Sequence, residues 1–351
     1  MRQVWIPRTG GPEVLTVRDA PDPVPGPGEV RIRVEAIGVN FSDILTRLGL
    51  YPDAPPLPAV VGYEVAGAID QLGSGVTVFD RSDKPIVVGD AVIALTRFGG
   101  YSDVICAPVS QVIRRPPGMD ARVGGAFPLA YATAYALLIE VGRIRSGDRV
   151  LVHGAGGGVG LAALDICQKV GVETFGTASA TKHAFLRERG LQHAIDLRQT
   201  NLVAEVHRLT GGAGVDLILD PIGGRSWSES LTLLAPFGKL VAYGLSAMAP
   251  EVSPSRVRSA AAAIGALTRV PWLKFSPISL MNANRGVAGV NLGHLWDHVA
   301  LFQTWLDHLT TWFGDGQLHP HVDRAFPLAN AADAHRYLQE RRNLGKVILI
   351  P

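Results

Sequence analysis

The sequence predicts an α/β protein of two domains, a small barrel-like all-β domain and a doubly wound parallel sheet. Three observations predict it. Short alternating segments separated by Gly, Pro and Asp fill the first hundred or so residues. From Arg149 to Tyr243, apolar strands alternate with helical patterns. Between the first of those strands and its helix, five glycines fall within the seven residues 154–160.

Taken in order, the chain opens on Met1-Arg2-Gln3-Val4-Trp5-Ile6-Pro7, which has no long apolar run and is not a secretory signal. Residues 21–28 hold four prolines and two glycines, cannot form a ladder and predict a surface turn. Residues 29–35 alternate strictly, Val30, Ile32 and Val34 against Arg31, Arg33 and Glu35, which predicts a half-buried strand. Further short strands are predicted at 65–72, 91–95 and 102–107, the second entered through a Gly89-Asp90 turn. The pattern becomes helical over 126–141.

Residues 149–152 read as a buried strand, and the helix after the glycines carries Val159, Ala163, Ile166 and Val170 on one face. Strand, glycine turn and helix are what cradling a phosphate requires. The turn is tight, the backbone approaches the pyrophosphate, and free N–H groups at the helix N-terminus face the anion. The G-x-G-x-x-G positions are Ala155, Gly157 and Gly160, with Gly154 one residue before. The context supports the motif. Strands at 172–177, 194–196, 215–219 and 239–243 alternate with helices at 181–189, 202–209 and 226–234, a parallel, dinucleotide-binding Rossmann unit. Residues 246–285 read as helical and loop material covering that unit. Helices at 296–312 and 329–341 and a closing strand at 346–350 follow.

The second strand of the unit ends in Gly176-Thr177-Ala178-Ser179-Ala180-Thr181-Lys182-His183. An NAD-binding unit needs a carboxylate here for the adenosine ribose. None is present, while Ser179 and Lys182 suit a 2′-phosphate at the start of a helix, so the expected cofactor is NADPH. Arg198 is a possible second cation, though its expected place is the solvated surface.

Composition excludes several classes. The chain has 351 residues, 47% of them hydrophobic, and a net charge of +2. That balance argues against nucleic-acid or anionic-membrane partners, and no stretch reaches the length of a membrane span, the apolar run 260–266 included. Cys106 and Cys167 lie far apart in apolar segments, which predicts buried free thiols and a reducing, cytoplasmic setting.

On these motifs the chain resembles the medium-chain dehydrogenase/reductase superfamily. The pieces that carry the resemblance are Gly38-Val39-Asn40-Phe41-Ser42-Asp43, Gly62-Tyr63-Glu64-Val65-Ala66-Gly67, residues 152–160 and 175–183, Asp220-Pro221-Ile222-Gly223-Gly224, Ala283-Asn284-Arg285 and Asn343-Leu344-Gly345-Lys346-Val347. Within the superfamily the chain is most similar to the zinc-independent quinone oxidoreductase branch, and there to the synaptic vesicle amine-transport-protein homologues. The resemblance implies a GroES-like barrel from residues 1–123 and 289–351, with a Rossmann NADP-binding domain of 124–288 inserted between. It implies cofactor contacts at Asn40, Thr133, Gly157, Gly158, Val159, Gly160, Thr177, Ser179, Lys182, Pro221, Gly244, Ser246 and Asn343.

It also bears on metal. Where zinc-dependent relatives carry a cysteine and a histidine ligand, this chain has Asn40 and Tyr63, and two cysteines cannot build a four-cysteine lobe. Glu64 reads either as a site acid or as a buried carboxylate with a partner. Without zinc the implied reaction is hydride transfer from NADPH to a quinone or α,β-unsaturated carbonyl, which is already electrophilic. Asn40, Tyr51 and Tyr63 are the implied hydrogen-bonding catalytic residues. A second tyrosine that relatives often place six residues before Tyr51 is Leu45 here. Two alternatives stand beside this reading: an enoyl reductase of a polyketide or fatty-acyl pathway, and a non-catalytic NADPH-binding scaffold. A homodimer with a small electrophilic substrate completes the expectation.

Overall fold

A computed structural model describes residues 1–77, 85–249 and 276–351. The chain divides into two compact units, Met1–Ala132 with Gly293–Pro351, and Thr133–Leu292.

The first unit begins with β1 (Arg2–Ile6), β2 (Thr16–Asp19), β3 (Glu29–Val39), β4 (Ala59–Val60), β5 (Glu64–Leu72), β6 (Ala91–Leu95), β7 (Val104–Pro108) and β8 (Val112–Arg114). The second unit supplies β9 (Arg149–Val152), β10 (Glu173–Thr177), β11 (His193–Ile195), β12 (Val215–Asp220), β13 (Leu234–Ala242) and β14 (Gly286–Gly289). The chain then returns to the first unit with β15 (Val322–Pro327) and β16 (Lys346–Ile350).

In the first unit β15, β16, β3, β5, β6 and β8 lie side by side, β7 also pairs β3, and β1 forms a small sheet with β2 and β4. The alternation in β3 is realised: Val30, Ile32 and Val34 are buried while Arg33 and Glu35 face solvent. The buried face packs with Val65, Ile69, Val92, Val112, Val347 and Leu349, so the last strand shares one core with the first hundred residues. Arg31 and Arg33 both grip Asp70 on the outer face, at 2.8 and 2.6 Å.

In the second unit six strands run parallel in the order β11-β10-β9-β12-β13-β14. Order reverses at β9, between β10 and β12, and in such sheets the crevice for a ligand opens beyond the carboxyl ends of those strands. Leu151, Phe175, Ile218 and Leu240 fill one face of the sheet. Asn201 caps the helix Leu202–Thr210 by accepting from the Ala204 N–H at 3.0 Å, and Gly211 ends it at φ +61°.

Four expectations are corrected. Cys106 is only half-buried, because it alternates with Ile105 and Ala107, which take the core side of β7; Cys167 is buried as expected. The helix expected over 126–141 is α-helical only at Pro128–Tyr135 and continues as a π-helical turn through Ala136–Gly142. The helix expected from Trp296 begins at Val299, leaving Trp296 before it as a buried ring. Lys182 lies in a 3₁₀ turn, Ala180–Lys182, and the helix proper is His183–Glu188. Of the stretch 246–285, residues 246–248 form a 3₁₀ turn and Pro277–Ala283 a helix. The apolar run 260–266 lies outside the described residues. Among the described residues no helix is long and apolar enough to cross a membrane.

Candidate functional site

Each unit carries part of the candidate machinery. The first holds Asn40, Tyr51, Tyr63 and Asn343; the second holds Thr133, Gly157, Gly158, Val159, Gly160, Thr177, Ser179, Lys182, Pro221, Gly244 and Ser246.

In the first unit β3 ends at Val39 and the helix Phe41–Leu48 starts, with Asn40 at its N-cap. Asp43 closes the cap, its Oδ2 accepting from the Asn40 backbone N–H at 2.8 Å. That leaves the Asn40 side chain free to face Lys346. The Lys346 Nζ donates to Glu64 Oε1 at 2.6 Å, Asn40 Oδ1 at 2.7 Å and the Val39 carbonyl at 3.2 Å. An ammonium only donates, so Oδ1 must face it. Asn40 Nδ2 therefore donates to Glu64 Oε1 at 3.0 Å and to the Gly38 carbonyl at 3.4 Å. Glu64 is fully buried and its second oxygen accepts from the Leu129 N–H at 2.8 Å. A Cβ at residue 38 would overlap Glu64 Oε1, so glycine there makes room for the carboxylate. Of the two readings of Glu64, the geometry matches the buried carboxylate with a partner. Asn343 is buried, its Nδ2 donating to the Gly345 carbonyl at 2.7 Å.

Tyr63 stands differently. It is 3% exposed, and its ring meets Phe98 at 5.4 Å, Trp296 at 6.1 Å in a near-parallel stack, and Tyr51 edge-on at 6.3 Å. Its hydroxyl lies beside the Thr46 and Tyr51 side chains and completes a hydrogen bond with neither. Burial, then the nearby Tyr51 and Asp43, push its pKa well above the ordinary phenol range, so it stays protonated and acts as a donor. Tyr51 is half-buried and raised in the same direction by burial. An apolar groove opens beside Trp296, lined by Leu95, Ile113, Val299, Phe302 and Leu306.

A second buried network lies behind this one. The Tyr101 hydroxyl donates to Asp43 Oδ2 at 3.0 Å and sits 2.9 Å from His335 Nε2. Arg47 Nε lies 3.3 Å from His335 Nδ1, and its other nitrogens donate to the Gly10 carbonyl and Gln339 Oε1, both at 2.6 Å. All four side chains are fully buried. Burial pushes Asp43 up to about 7 and His335 well below the imidazole range, and lowers Arg47 to about 10. Sequence reading missed this group, since its contacts span up to 292 residues.

In the second unit Gly154 turns at φ +65° and the helix Gly158–Val170 follows, with Gly157 at its N-cap. Helix geometry leaves the first-turn N–H groups without intrahelical partners. A Cβ at Gly157 would meet only the Gly154 carbonyl, at 3.4 Å, whereas one at Gly160 would strike Ala155 backbone atoms at 2.5–2.7 Å. Gly157 thus faces open space and Gly160 seals the turn against the helix. The Thr177 hydroxyl accepts from the Gly154 N–H at 3.0 Å and lies 3.3 Å from His153 Nδ1. His153 Nε2 reaches the Ser230 hydroxyl at 3.0 Å, which donates to Asp220 Oδ2 at 3.2 Å. These side chains tie the ends of β9, β10 and β12 to the glycine turn; His153 and Asp220 were not anticipated as parts of it. At the neighbouring strand ends the Ser246 N–H donates to the Pro221 carbonyl at 2.9 Å, and Gly244 lets the two segments approach.

Two family models match this chain: one described as alcohol dehydrogenase GroES-like domain over residues 26–117, the other as zinc-binding dehydrogenase over 189–349. The synaptic vesicle membrane protein VAT-1 homolog of Rattus norvegicus is 40% identical over 340 residues, covering 96% of this chain and 80% of the relative. The chain belongs to the medium-chain dehydrogenase/reductase superfamily. A quinone oxidoreductase of Pseudomonas aeruginosa is 34% identical across 100% of this chain and 99% of its own length. The solved structure of the Escherichia coli quinone oxidoreductase complexed with NADPH superposes with a TM-score of 0.85 at 27% identity, covering all of both chains.

The superfamily includes zinc enzymes, and the residues here do not fit the metal. Asn40 Oδ1 and Glu64 Oε1 already surround the Lys346 cation, and a second positive charge beside that ammonium would be repelled. Tyr63 keeps its proton and so offers no anionic oxygen. A nicotinamide dinucleotide does fit the second unit, where an open Gly157 and an anchored turn leave helix N–H groups for a pyrophosphate.

Proposed function

We propose that the protein is a zinc-independent, NADPH-dependent oxidoreductase that delivers hydride to a quinone or an α,β-unsaturated carbonyl. The observation that carries this reading is the Tyr63 hydroxyl, a donor buried among aromatic rings and left without a partner. An unpaired buried hydroxyl costs on the order of 1–3 kcal/mol, which a ligand acceptor recovers. The acceptor that suits it is the oxygen of a flat, apolar electrophile, where negative charge develops as hydride arrives.

NADPH, when bound, supplies that hydride. The glycine turn and the N–H groups of its helix hold the pyrophosphate, Thr177 anchors the turn, and Lys182 with Ser179 takes the adenosine 2′-phosphate. Pro221, Gly244, Ser246 and Thr133 complete the cradle in the second unit. Tyr63 donates to the substrate oxygen and Tyr51 braces its ring. Asn40, engaged by Lys346 and Glu64, fixes the wall of the site. A homodimer is part of this reading, checked by light scattering.

The test is NADPH oxidation by the purified protein against a panel of quinones, enones and an enoyl thioester, followed by cofactor absorbance. Turnover with quinones or enones and loss on Tyr63→Phe is expected. Preference for the thioester assigns enoyl reduction, and NADPH binding without any oxidation makes the protein a binding scaffold.

A further inference from the structure

His153 follows the last residue of β9 and is pinned to a neighbouring strand end. Its backbone N–H donates to the Leu219 carbonyl of β12 at 3.0 Å, and two residues on Ala155 donates to the Thr177 carbonyl of β10 at 3.1 Å. The order of strands reverses here, so His153 sits at the switch point of the sheet. Its side chain is 1% exposed and both ring nitrogens have partners.

Those partners dictate where the protons lie. Asp220 accepts from four donors: the Ile222 and Gly223 N–H groups reach Oδ1 at 2.8 and 3.2 Å, and the Ser226 and Ser230 hydroxyls reach Oδ2 at 2.6 and 3.2 Å. Ser230 has one proton and gives it to Asp220, so toward His153 Nε2, 3.0 Å away, it accepts. Nε2 therefore carries the imidazole proton, and Nδ1 presents a lone pair. The Thr177 hydroxyl, 3.3 Å from Nδ1, donates to it and keeps its own lone pairs for the Gly154 N–H at 3.0 Å. Burial holds the ring's pKa below the ordinary imidazole value, against the pull of Asp220 and Glu229, which agrees with a neutral ring.

We infer that His153 is a positioning residue for the dinucleotide: its Nδ1 lone pair orients Thr177, and through Thr177 holds the glycine turn in the shape that leaves the helix N–H groups to a pyrophosphate. This rests on the reading of the second unit as the dinucleotide site. Gly154 is where the turn leaves β9 at φ +65°, so a fixed N–H there fixes the start of the turn. A turn shaped in advance spares the ligand the cost of ordering it. With the proton on Nδ1 instead, the Thr177 hydroxyl would have to accept twice and would lose the acceptor for its own proton. The Ser230–Asp220 end of the chain of bonds excludes that arrangement. Asp220 in turn shapes the loop at Ile222 and Gly223, so one imidazole joins the turn to the neighbouring strand end.

The experiment uses the full chain, with fluorescence titration of NADPH and imidazole nitrogen NMR near neutral pH, on wild type, His153→Leu, His153→Asn and Ser230→Ala. In wild type without cofactor the His153 ring should be the neutral Nε2–H tautomer. His153→Leu should weaken NADPH by about tenfold or more, the effect of losing a buried hydrogen bond. His153→Asn places an amide oxygen where Nδ1 stood and should restore most of the affinity. Ser230→Ala keeps the ring but removes the acceptor that sets its tautomer, so it should shift the tautomer signal and weaken NADPH in the same direction. It reads the role even where His153→Leu fails to fold. An Nδ1–H tautomer or an imidazolium in wild type, wild-type affinity in His153→Leu, or equal losses in His153→Leu and His153→Asn overturns the inference. A wild type that binds no dinucleotide defeats the reading of the site instead. Hydrogen exchange of the Gly154 amide without cofactor then still decides the positioning: it should quicken in His153→Leu and slow again in His153→Asn, and an unchanged rate overturns the inference.

Discussion

Lys346 and Glu64 form a buried ion pair, Nζ to Oε1 2.6 Å, between β16 and β5, the strand that follows Tyr63. Its separation of 282 positions along the chain makes it a closure of the first unit. Removing one partner of a buried pair leaves a charge uncompensated at a cost of about 3–5 kcal/mol. Lys346→Met should lower the urea midpoint accordingly, and Lys346→Met with Glu64→Gln should recover part of the loss. A single variant as stable as the wild type would refute the role.

The same pair bears on metal. With Lys346 holding the oxygens of Asn40 and Glu64, the purified protein should carry no stoichiometric zinc. Elemental analysis giving about one zinc per chain would overturn this, because such sites need three or four protein ligands.

His335 predicts a pH dependence of stability. Burial, then the Arg47 guanidinium, holds its folded pKa well below the ordinary value. The unfolded imidazole titrates near about 6.5, so below that pH the unfolded chain binds the extra proton. The stability this neutral histidine contributes is present above about pH 6.5 and is lost as pH falls toward its folded value. Asp43, raised to about 7, acts in the opposite sense, since the native state holds its proton longer and that contribution fades as pH rises through about 7. His335→Gln, neutral throughout, isolates the first effect. Its unfolding midpoint should drop less than that of wild type between pH 7 and pH 5; equal drops would show that His335 is not the group responsible.

How far the sequence reaches can be judged at particular residues. Strand β9, the glycine turn, its helix and the alternation in β3 were legible because each is set by neighbours within a dozen residues. Tyr63 and Asn40 were placed by motif, but their division of labour was not. Only Lys346, brought in by the β16–β3 pairing, shows that the Asn40 amide is engaged and the Tyr63 hydroxyl is not. The Asp43–Tyr101–His335–Arg47 group was invisible for the same reason: Tyr101 and His335 are 234 residues apart and neither stands in a motif. Cys106 was misjudged from apolar flanks, where strand alternation decides exposure.

The two glycines of the turn should separate binding from folding. Gly157 has open space where a Cβ would stand, so Gly157→Val should leave thermal stability nearly unchanged and abolish dinucleotide binding. Gly160→Ala forces a methyl against the Ala155 backbone and should cost about 1–3 kcal/mol of stability whether or not cofactor is present. If Gly157→Val binds with wild-type affinity in a fluorescence titration, the phosphate does not lie on this turn.

The choice of cofactor turns on Lys182. The end of β10 and the 3₁₀ turn after it carry no carboxylate of their own, and beyond Thr177 their polar groups are Ser179 and Thr181, whose hydroxyls lie 3.2 Å apart, and Lys182. An acidic side chain does stand nearby in space, which the sequence order concealed: Asp196, just past β11. Its Oδ2 accepts from the Ala180 N–H at 2.9 Å and its Oδ1 from the Arg198 N–H at 3.0 Å. These backbone bonds hold its pKa below the usual carboxylate range, so it stays ionised and spends both oxygens on shaping the turn. A carboxylate so engaged shapes the loop in place of accepting from a ribose diol, and Lys182 is left as the group suited to a 2′-phosphate. A charge-assisted contact of that kind is worth about 1.5–3 kcal/mol, or roughly ten- to a hundredfold in affinity. Wild type should therefore prefer NADPH over NADH by at least about tenfold. Lys182→Ala should erase most of that preference and leave NADH affinity nearly unchanged, measured by fluorescence titration of each cofactor. Equal affinities in the wild type, or a ratio that survives the substitution, would remove Lys182 from the 2′-phosphate site.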